Sequence, residues 1–210
     1  VMNTQYLYRI DTQSEYEYDD PRTIAKYTCN ASGILPAFNS GYSAYKTTER
    51  DNGDGTYTAT IIADDISNLP TSMSFNNKQN LLRVELLNTK GLTTMSGMFQ
   101  SCKDVVYINT NGWDTSKVTN MVGVFSGCSS LTSLDLSGFN TSSLTNIQMM
   151  FNGCSALTSL DFTKWDMSKI TAFGKFCTNC SSLESIIGLN LSSYSEFSGN
   201  EGTFLSFRGC

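Results

Sequence analysis

The chain has 210 residues, of which 40% are hydrophobic, and this is enough apolar material for a folded core. Its formal net charge is −5, and the 14 lysines and arginines form no run, which argues against a nucleic-acid partner. Histidine is absent, so the commonest general base and the commonest ligand of catalytic zinc are both missing. No nucleotide-binding or serine-hydrolase fingerprint occurs, and no apolar stretch reaches the roughly 20 residues of a membrane span. We predict a non-enzymatic protein with no cofactor, no metal and no membrane insertion.

A small β-rich module is predicted for residues 1–70. Residues 6–10 and 56–62 alternate between apolar and polar side chains, as strands do. The Asn-Gly-Asp-Gly sequence at 52–55 is a hairpin turn signal. It superficially resembles a calcium loop, but the ligand spacing is wrong and no Glu follows at the twelfth position, so a plain turn is predicted. We expect this module to attach the protein to a larger assembly.

A block of 26 residues repeats along residues 71–210. Phenylalanines and cysteines three residues apart mark it: Phe99, Phe125 and Phe151 with Cys102, Cys128, Cys154 and Cys180. Repeats of about 20 to 29 residues with the pattern Leu-x-x-Leu-x-Leu, which residues 131–136 show, are typical of leucine-rich repeats. The predicted coils lie near residues 71–92, 93–118, 119–144, 145–170 and 171–210. The first is atypical, and the last contains an insertion of four residues before Phe-x-x-Cys at 207–210.

Each coil is predicted to contain one short helix and one short strand. Met121, Val124, Phe125 and Cys128 have the spacing of an amphipathic helix, and residues 131–136 then alternate like a strand with one buried face. Stacked coil on coil, this order predicts an α/β solenoid. It would be a right-handed coil of short parallel strands and helices, like the leucine-rich repeats, preceded by the small β module.

Buried free thiols are predicted for the cysteines. Neighbouring helices would lie about 8 to 10 Å apart, whereas a disulfide needs Cα atoms within roughly 7 Å. Cys177 and Cys180 have the spacing of a redox motif, but Cys177 simply occupies the position of Phe151 in the preceding coil. The cysteines are therefore interpreted as small apolar side chains.

A family resemblance rests on the repeat sequence itself. The sequence Phe-Ser-Gly-Cys-Ser-Ser-Leu-Thr-Ser-Leu-Asp-Leu-Ser-Gly-Phe-Asn-Thr-Ser at 125–142 resembles the BspA-like leucine-rich repeats. The similarity is to the 26-residue type found in bacterial surface proteins and some bacteriophage proteins, and it covers about residues 92–191. The resemblance implies extracellular adhesion or recognition, and it brings no catalytic residues.

Exposed strand positions are the candidate ligand-binding residues. They form polar columns spaced about 4.8 Å from coil to coil, and comprise Tyr107, Asn109, Thr132, Asp135, Thr158 and Asp161. Such columns could bind a sugar chain or a peptide, or be no more than the solvated face that every repeat protein needs. A separate aromatic column could stack on sugar rings, but sealing the edge of the core is the favoured interpretation: Trp113, Phe139 and Trp165.

Two classes of function follow from the sequence. The first is a recognition or adhesion protein that binds a protein or glycan on a cell surface through the solenoid. We expect it to be attached to a bacteriophage virion, because a bacterial surface adhesin would need export and anchoring signals. The alternatives are a structural virion decoration protein without receptor binding and a fragment of a bacterial cell-surface adhesin, which would be extracellular.

Overall fold

The computed structural model describes residues 22–38, 42–43, 45–65, 67, 69–190 and 207–210. The strand predicted at 6–10 lies outside these residues. Within them the regular elements are strands: β1 Thr23–Cys29, β2 Ala37–Phe38, β3 Tyr45–Asp51, β4 Tyr57–Ala63, β5 Met73–Ser74, β6 Leu81–Leu87, β7 Tyr107–Ile108, β8 Ser159–Asp161 and β9 Ser185–Ile187. No α-helix occurs in the described part of the chain.

The predicted hairpin joins β3 to β4. The two strands are antiparallel, with Asp51 opposite Tyr57, and Gly53 and Gly55 have φ of 78° and 84°. Only glycine adopts such backbone angles without steric cost. The carboxylate of Asp51 accepts a hydrogen bond from the Gly53 amide at 2.8 Å, which fixes the turn. The hairpin and the strand predicted near 56–62 are confirmed.

One five-stranded sheet runs from the N-terminal region into the repeats. Its order is β3-β4-β1-β6-β7, antiparallel except for the parallel pair of β6 and β7. A small sheet of β2 and β5 and a parallel pair of β8 and β9 complete the pairing of the strands. The core is equally continuous, because Tyr27 of β1 contacts Phe75 at 4.9 Å and Phe75 stacks on Phe99 at 5.6 Å. The division of the chain at residue 70 stays a prediction.

Chains of tight turns replace the predicted helices. They occupy residues 95–102, 121–128, 147–154 and 173–180, which we call the turn column. In the first segment, amides bond to the carbonyl three residues earlier, as from Cys102 to Phe99 at 3.1 Å. Alternate amides instead donate to the next repeat, as from Phe99 to Val124 at 2.8 Å. An α-helix needs each interior amide for the carbonyl four residues earlier, so the predicted α/β solenoid with helices is wrong.

The backbone explains why no helix forms there. Each segment has two residues with a left-handed backbone, Gly97 and Ser101 in the first and Met149 and Gly153 in the third, with φ between 55° and 76°. An α-helix cannot include such residues, whereas a type II turn requires one at its third position. Consecutive turns nevertheless place every third and fourth side chain inward. The apolar spacing is therefore the same as that of an amphipathic helix.

Stacking of the turn column builds the core. Phe125 lies between Phe99 and Phe151, with ring centroids 5.9 and 5.6 Å away. A Cβ atom on Gly127 would lie only 3.3 Å from the Cα of Ser101, so the backbones of successive repeats are in direct contact there. Parallel bridges join consecutive repeats in the same order: Thr94 to Asn120, Asn120 to Asn146 and Asn146 to Ala172.

The last repeat keeps this arrangement with a longer interval. The Asn179 amide donates to the carbonyl of Arg208 at 2.6 Å, whereas the corresponding amide of Gly153 donates to Thr178. The second partner is 25 residues along the chain and the first is 29, so four extra residues lie between the two repeats. The predicted insertion before Phe-x-x-Cys at 207–210 is confirmed.

Candidate functional site

The strand side of the repeats pairs at its two ends and is interrupted in the middle. We call its segments the strand column: β6, β7, residues 133–135, β8 and β9. β6 pairs with β7, and β8 pairs with β9. Residues 131–136 between these pairs form no strand and no bridge. The interruption lies in the middle of the repeats, where the sequence predicts an unbroken ladder.

The interruption leaves backbone polar groups without partners. The Asn109 amide of the second repeat donates to the carbonyl of Val84 at 2.9 Å. One repeat later, the equivalent amide of Asp135 has no acceptor among the residues that the structure describes. On the far side of the gap, Thr158 donates to Thr132 at a longer 3.3 Å. An unpaired amide must find water or a ligand.

Packing loosens at the same place. Leu134 is half-buried, although the equivalent side chains in the neighbouring repeats, Ile108 and Leu160, are only 4% and 1% exposed. A shallow groove of about 440 Å³ opens there, lined by residues 107–111, residues 133–135 and Ser159. At one point the Thr110 hydroxyl bridges the gap with a hydrogen bond of 2.6 Å to the Asp135 carbonyl. The groove is therefore mostly polar and open to solvent.

Three of the six predicted binding residues line this groove. They are Tyr107, Asn109 and Asp135, whereas Thr132, Thr158 and Asp161 do not contribute to its lining. The prediction did not select Ser133 and Ser159, which follow the two threonines by one residue. Both residues of each Thr-Ser pair are exposed, so the sequence pattern alone did not distinguish them.

The two aspartates have a structural role in their own turns. A carboxylate oxygen of Asp135 accepts a hydrogen bond from the Ser137 amide at 2.9 Å, and Asp161 accepts one from Thr163 at 2.8 Å. These hydrogen bonds lower the pKa of each carboxyl, and in Asp135 partial burial and the neighbouring Asp161 oppose the effect. Both groups are therefore carboxylates at neutral pH, and the Asp135 charge lies at the groove.

Asn109 and Tyr107 are held in place by β6. The Asn109 side-chain amide donates to the carbonyl of Glu85 at 3.0 Å and accepts from the Asn111 amide at 3.1 Å. The Tyr107 ring is 39% exposed, and the Arg83 guanidinium lies 4.4 Å from its centroid. Arg83 in turn contacts the Glu85 carboxylate at 2.9 Å. These polar groups are fixed in orientation before any ligand arrives.

The aromatic column belongs to the core and not to the groove. Trp113, Phe139 and Trp165 are 5%, 4% and 8% exposed, and their ring centroids lie 5.6 and 5.8 Å apart. The Trp165 indole donates to the Leu136 carbonyl at 3.1 Å, while the Trp113 indole nitrogen has no partner among the described residues. The interpretation that these rings seal the edge of the core is confirmed.

Neither a metal centre nor a membrane-spanning helix is found in the described residues. His, Cys, Asp and Glu side chains there form no group of three or more that could hold an ion. No helix in that part of the chain is long and apolar enough to cross a bilayer.

Comparisons with known proteins define the family. Searches of the curated proteins and of the solved structures each found no significant match. A family model described as "Mycoplasma protein of unknown function, DUF285" matches residues 64–190, which include most of the turn column and the whole groove. The match does not single out the BspA-like leucine-rich repeats. It covers more than half of the 210 residues, and the chain therefore belongs to the DUF285 family.

Proposed function

We propose that this is a non-enzymatic recognition protein that binds a cell-surface ligand in the groove of the strand column. The observation that supports this most directly is the interruption at residues 131–136. It leaves the Asp135 amide unpaired beside the exposed Tyr107 ring and the fixed side chain of Asn109. Donors and acceptors that are oriented in advance lower the entropic cost of binding.

A glycan fits this groove better than a peptide strand. An added strand would need a spacing of about 4.8 Å on each of its sides. The repeats on the two sides of the gap remain stacked, with Trp113 and Phe139 only 5.6 Å apart, so the ligand has to lie across the mouth of the groove. Sugar hydroxyls both donate and accept hydrogen bonds, which suits the mixture of amide, carboxylate and hydroxyl groups. One face of Tyr107 could stack on a sugar ring.

The wider setting is part of the same proposal. We propose that the repeats are of the BspA-like leucine-rich type, and that residues 1–70 attach the protein to a larger assembly. The two proposed locations are a bacteriophage virion and a bacterial cell surface. The description of the family names a bacterium, Mycoplasma, which supports the second location.

Binding to cells and to glycans tests this proposal. The labelled full chain is titrated onto a panel of intact bacteria, and cells that bind it are then competed with their isolated surface glycans. Ser133→Trp places a bulky side chain in the groove lining and is expected to weaken binding at least about tenfold, since one good contact region contributes more than 1.4 kcal/mol. Asp135→Asn removes the charge but keeps a side chain that supports the same turn, as Asn109 does in its own repeat.

The matched control is Thr132→Trp. Thr132 is exposed and adjacent to Ser133, but it does not line the groove, so this variant is expected to bind like the unmodified chain. Saturable binding that neither groove variant weakens would show that the groove is not the site. Absence of binding to every cell in a broad panel would favour a structural decoration protein instead.

A further inference from the structure

Three thiols meet in the last described repeat. Cys177 and Cys180 are the two ends of one tight turn, in which Asn179 has φ of 61°. The Cys210 thiol donates a hydrogen bond to the Cys177 carbonyl at 2.8 Å. Each of the three thiols is also in hydrogen-bond contact with the other two. All three cysteines are free.

The other repeat cysteines have a different environment. Cys102, Cys128 and Cys154 are completely buried, and each donates its thiol to a phenylalanine carbonyl at 3.0 to 3.2 Å. Burial raises their pKa values, to about 12 for Cys102, which makes them unreactive. In the last repeat, Cys177 occupies the position of a phenylalanine and Cys210 is exposed. Only there do several thiols lie within reach of an external reagent.

The spacing of the repeats permits a disulfide between neighbours. The prediction from the sequence excluded one because helices would stand about 8 to 10 Å apart. Neighbouring repeats are instead joined by backbone hydrogen bonds, as between Asn179 and Arg208 at 2.6 Å. Backbones paired in this way lie about 4.8 Å apart, which is within the Cα separation of roughly 4.4 to 6.8 Å in natural disulfides.

We propose that Cys180 and Cys210 form a disulfide when the protein meets a low-molecular-weight disulfide such as glutathione disulfide. The Cys210 thiolate attacks one sulfur of glutathione disulfide, forming a mixed disulfide and releasing one glutathione thiolate. The Cys180 thiolate then attacks the Cys210 sulfur, forms the internal disulfide and releases the second glutathione thiolate. The two protons lost by the protein thiols are taken up by the two glutathione thiolates. Cys177 remains a thiol.

The contacts within the cluster select Cys180 as the second nucleophile. Hydrogen bonds from Cys177 and then from Cys210 lower the pKa of Cys180, against the effect of its burial. The same interaction with Cys180, together with burial, raises the pKa of Cys177. The thiolate therefore forms on Cys180, and it is the thiolate that attacks a disulfide.

The disulfide would fasten residues 207–210 to the repeat below them. Closing this loop restricts the unfolded chain, so the oxidised protein should melt at a higher temperature than the reduced protein. Such a bond would form on passage from the reducing interior of a cell to an oxidising exterior. The site is independent of the groove, so either proposal can fail without the other.

Oxidation of the full chain followed by peptide mapping tests the proposal. The folded protein is incubated with glutathione disulfide, alkylated in denaturant and digested without reduction. We expect two fewer free thiols, a mass about 2 Da lower and a cross-linked peptide pair that contains Cys180 and Cys210. Cys177→Ser should give the same product. Cys180→Ser should stop at the mixed disulfide on Cys210, and Cys210→Ser should lose no thiol.

The same map contains the outcomes that would overturn the proposal. They are seven unmodified thiols in the unmutated chain, a bond between Cys177 and either other cysteine, or only intermolecular disulfides through Cys210. Because the unmutated chain alone distinguishes these results from the expected one, the test does not depend on the folding of the serine variants.

Discussion

The two sides of the same repeats differ in how completely they pair. In the turn column, alternate amides bond to the next repeat at 2.7 to 3.0 Å through three successive steps, beginning with Met95 and Asn120. In the strand column, pairing occurs at the two ends and is interrupted at residues 131–136. Both columns come from repeats of 26 residues that share one core. The stack is closed along one side and open at one place on the other.

This difference separates stability from recognition. The turn column packs aromatic rings and backbone directly, as at Phe125 and Gly127, so it holds the repeats together without help from the strand column. The strand column is therefore free to leave polar groups unpaired near Asp135. Unpaired groups at a surface are costly only when they are kept from water, and an open groove avoids that cost.

The largest expected effect comes from truncating equivalent leucines on the two sides of the interruption. Leu160→Ala removes a side chain that is 1% exposed and should lower the free energy of unfolding by about 2 to 5 kcal/mol. Leu134→Ala removes a half-buried one and should cost about half as much, because less surface returns to water. Urea denaturation of both variants measures the difference. Equal losses would mean that the strand column is packed uniformly.

A smaller effect is expected from adding a methyl group in the turn column. Gly127 has φ of 75°, and a Cβ there would lie 3.3 Å from the Cα of Ser101. Gly127→Ala should therefore lower the free energy of unfolding by about 1 to 3 kcal/mol, from the left-handed backbone and from crowding between repeats.

Gly138→Ala is the matched control for this substitution. A Cβ atom at Gly138 has no neighbour within 4 Å, and a change of less than about 0.5 kcal/mol is expected. The same urea titration applies to both variants. A Gly127 variant as stable as the Gly138 variant would contradict the close contact between turn segments.

The sequence predicted the repeat and its buried face better than the backbone that presents them. Phe125 and Cys128 recur at a constant interval because every repeat must place the same side chains in the core. The helix prediction failed because consecutive turns give the same inward spacing as a helix. The signal that could have corrected it was the recurrence of glycine at Gly97 and Gly123, which supply the left-handed backbone of each first turn.

The groove could not be predicted from the sequence. Residues 131–136 have the same Leu-x-x-Leu-x-Leu pattern that the neighbouring repeats show with Leu or Phe at the last position. That pattern determines which side chains face the core, but it does not determine whether two adjacent backbones form hydrogen bonds. Tyr107, Asn109 and Asp135 were therefore identified as exposed polar positions without the gap that brings them together.

Amide hydrogen exchange at two equivalent positions tests the central claim most directly. The Asn109 amide donates to Val84 at 2.9 Å, and the Asp135 amide one repeat later has no acceptor in the described part of the chain. By NMR of the folded protein, Asn109 should exchange at least about a hundredfold more slowly than Asp135, after correction for intrinsic rates. An Asp135 amide as protected as that of Asn109 would show that the strand column is continuous and that the groove does not exist in solution.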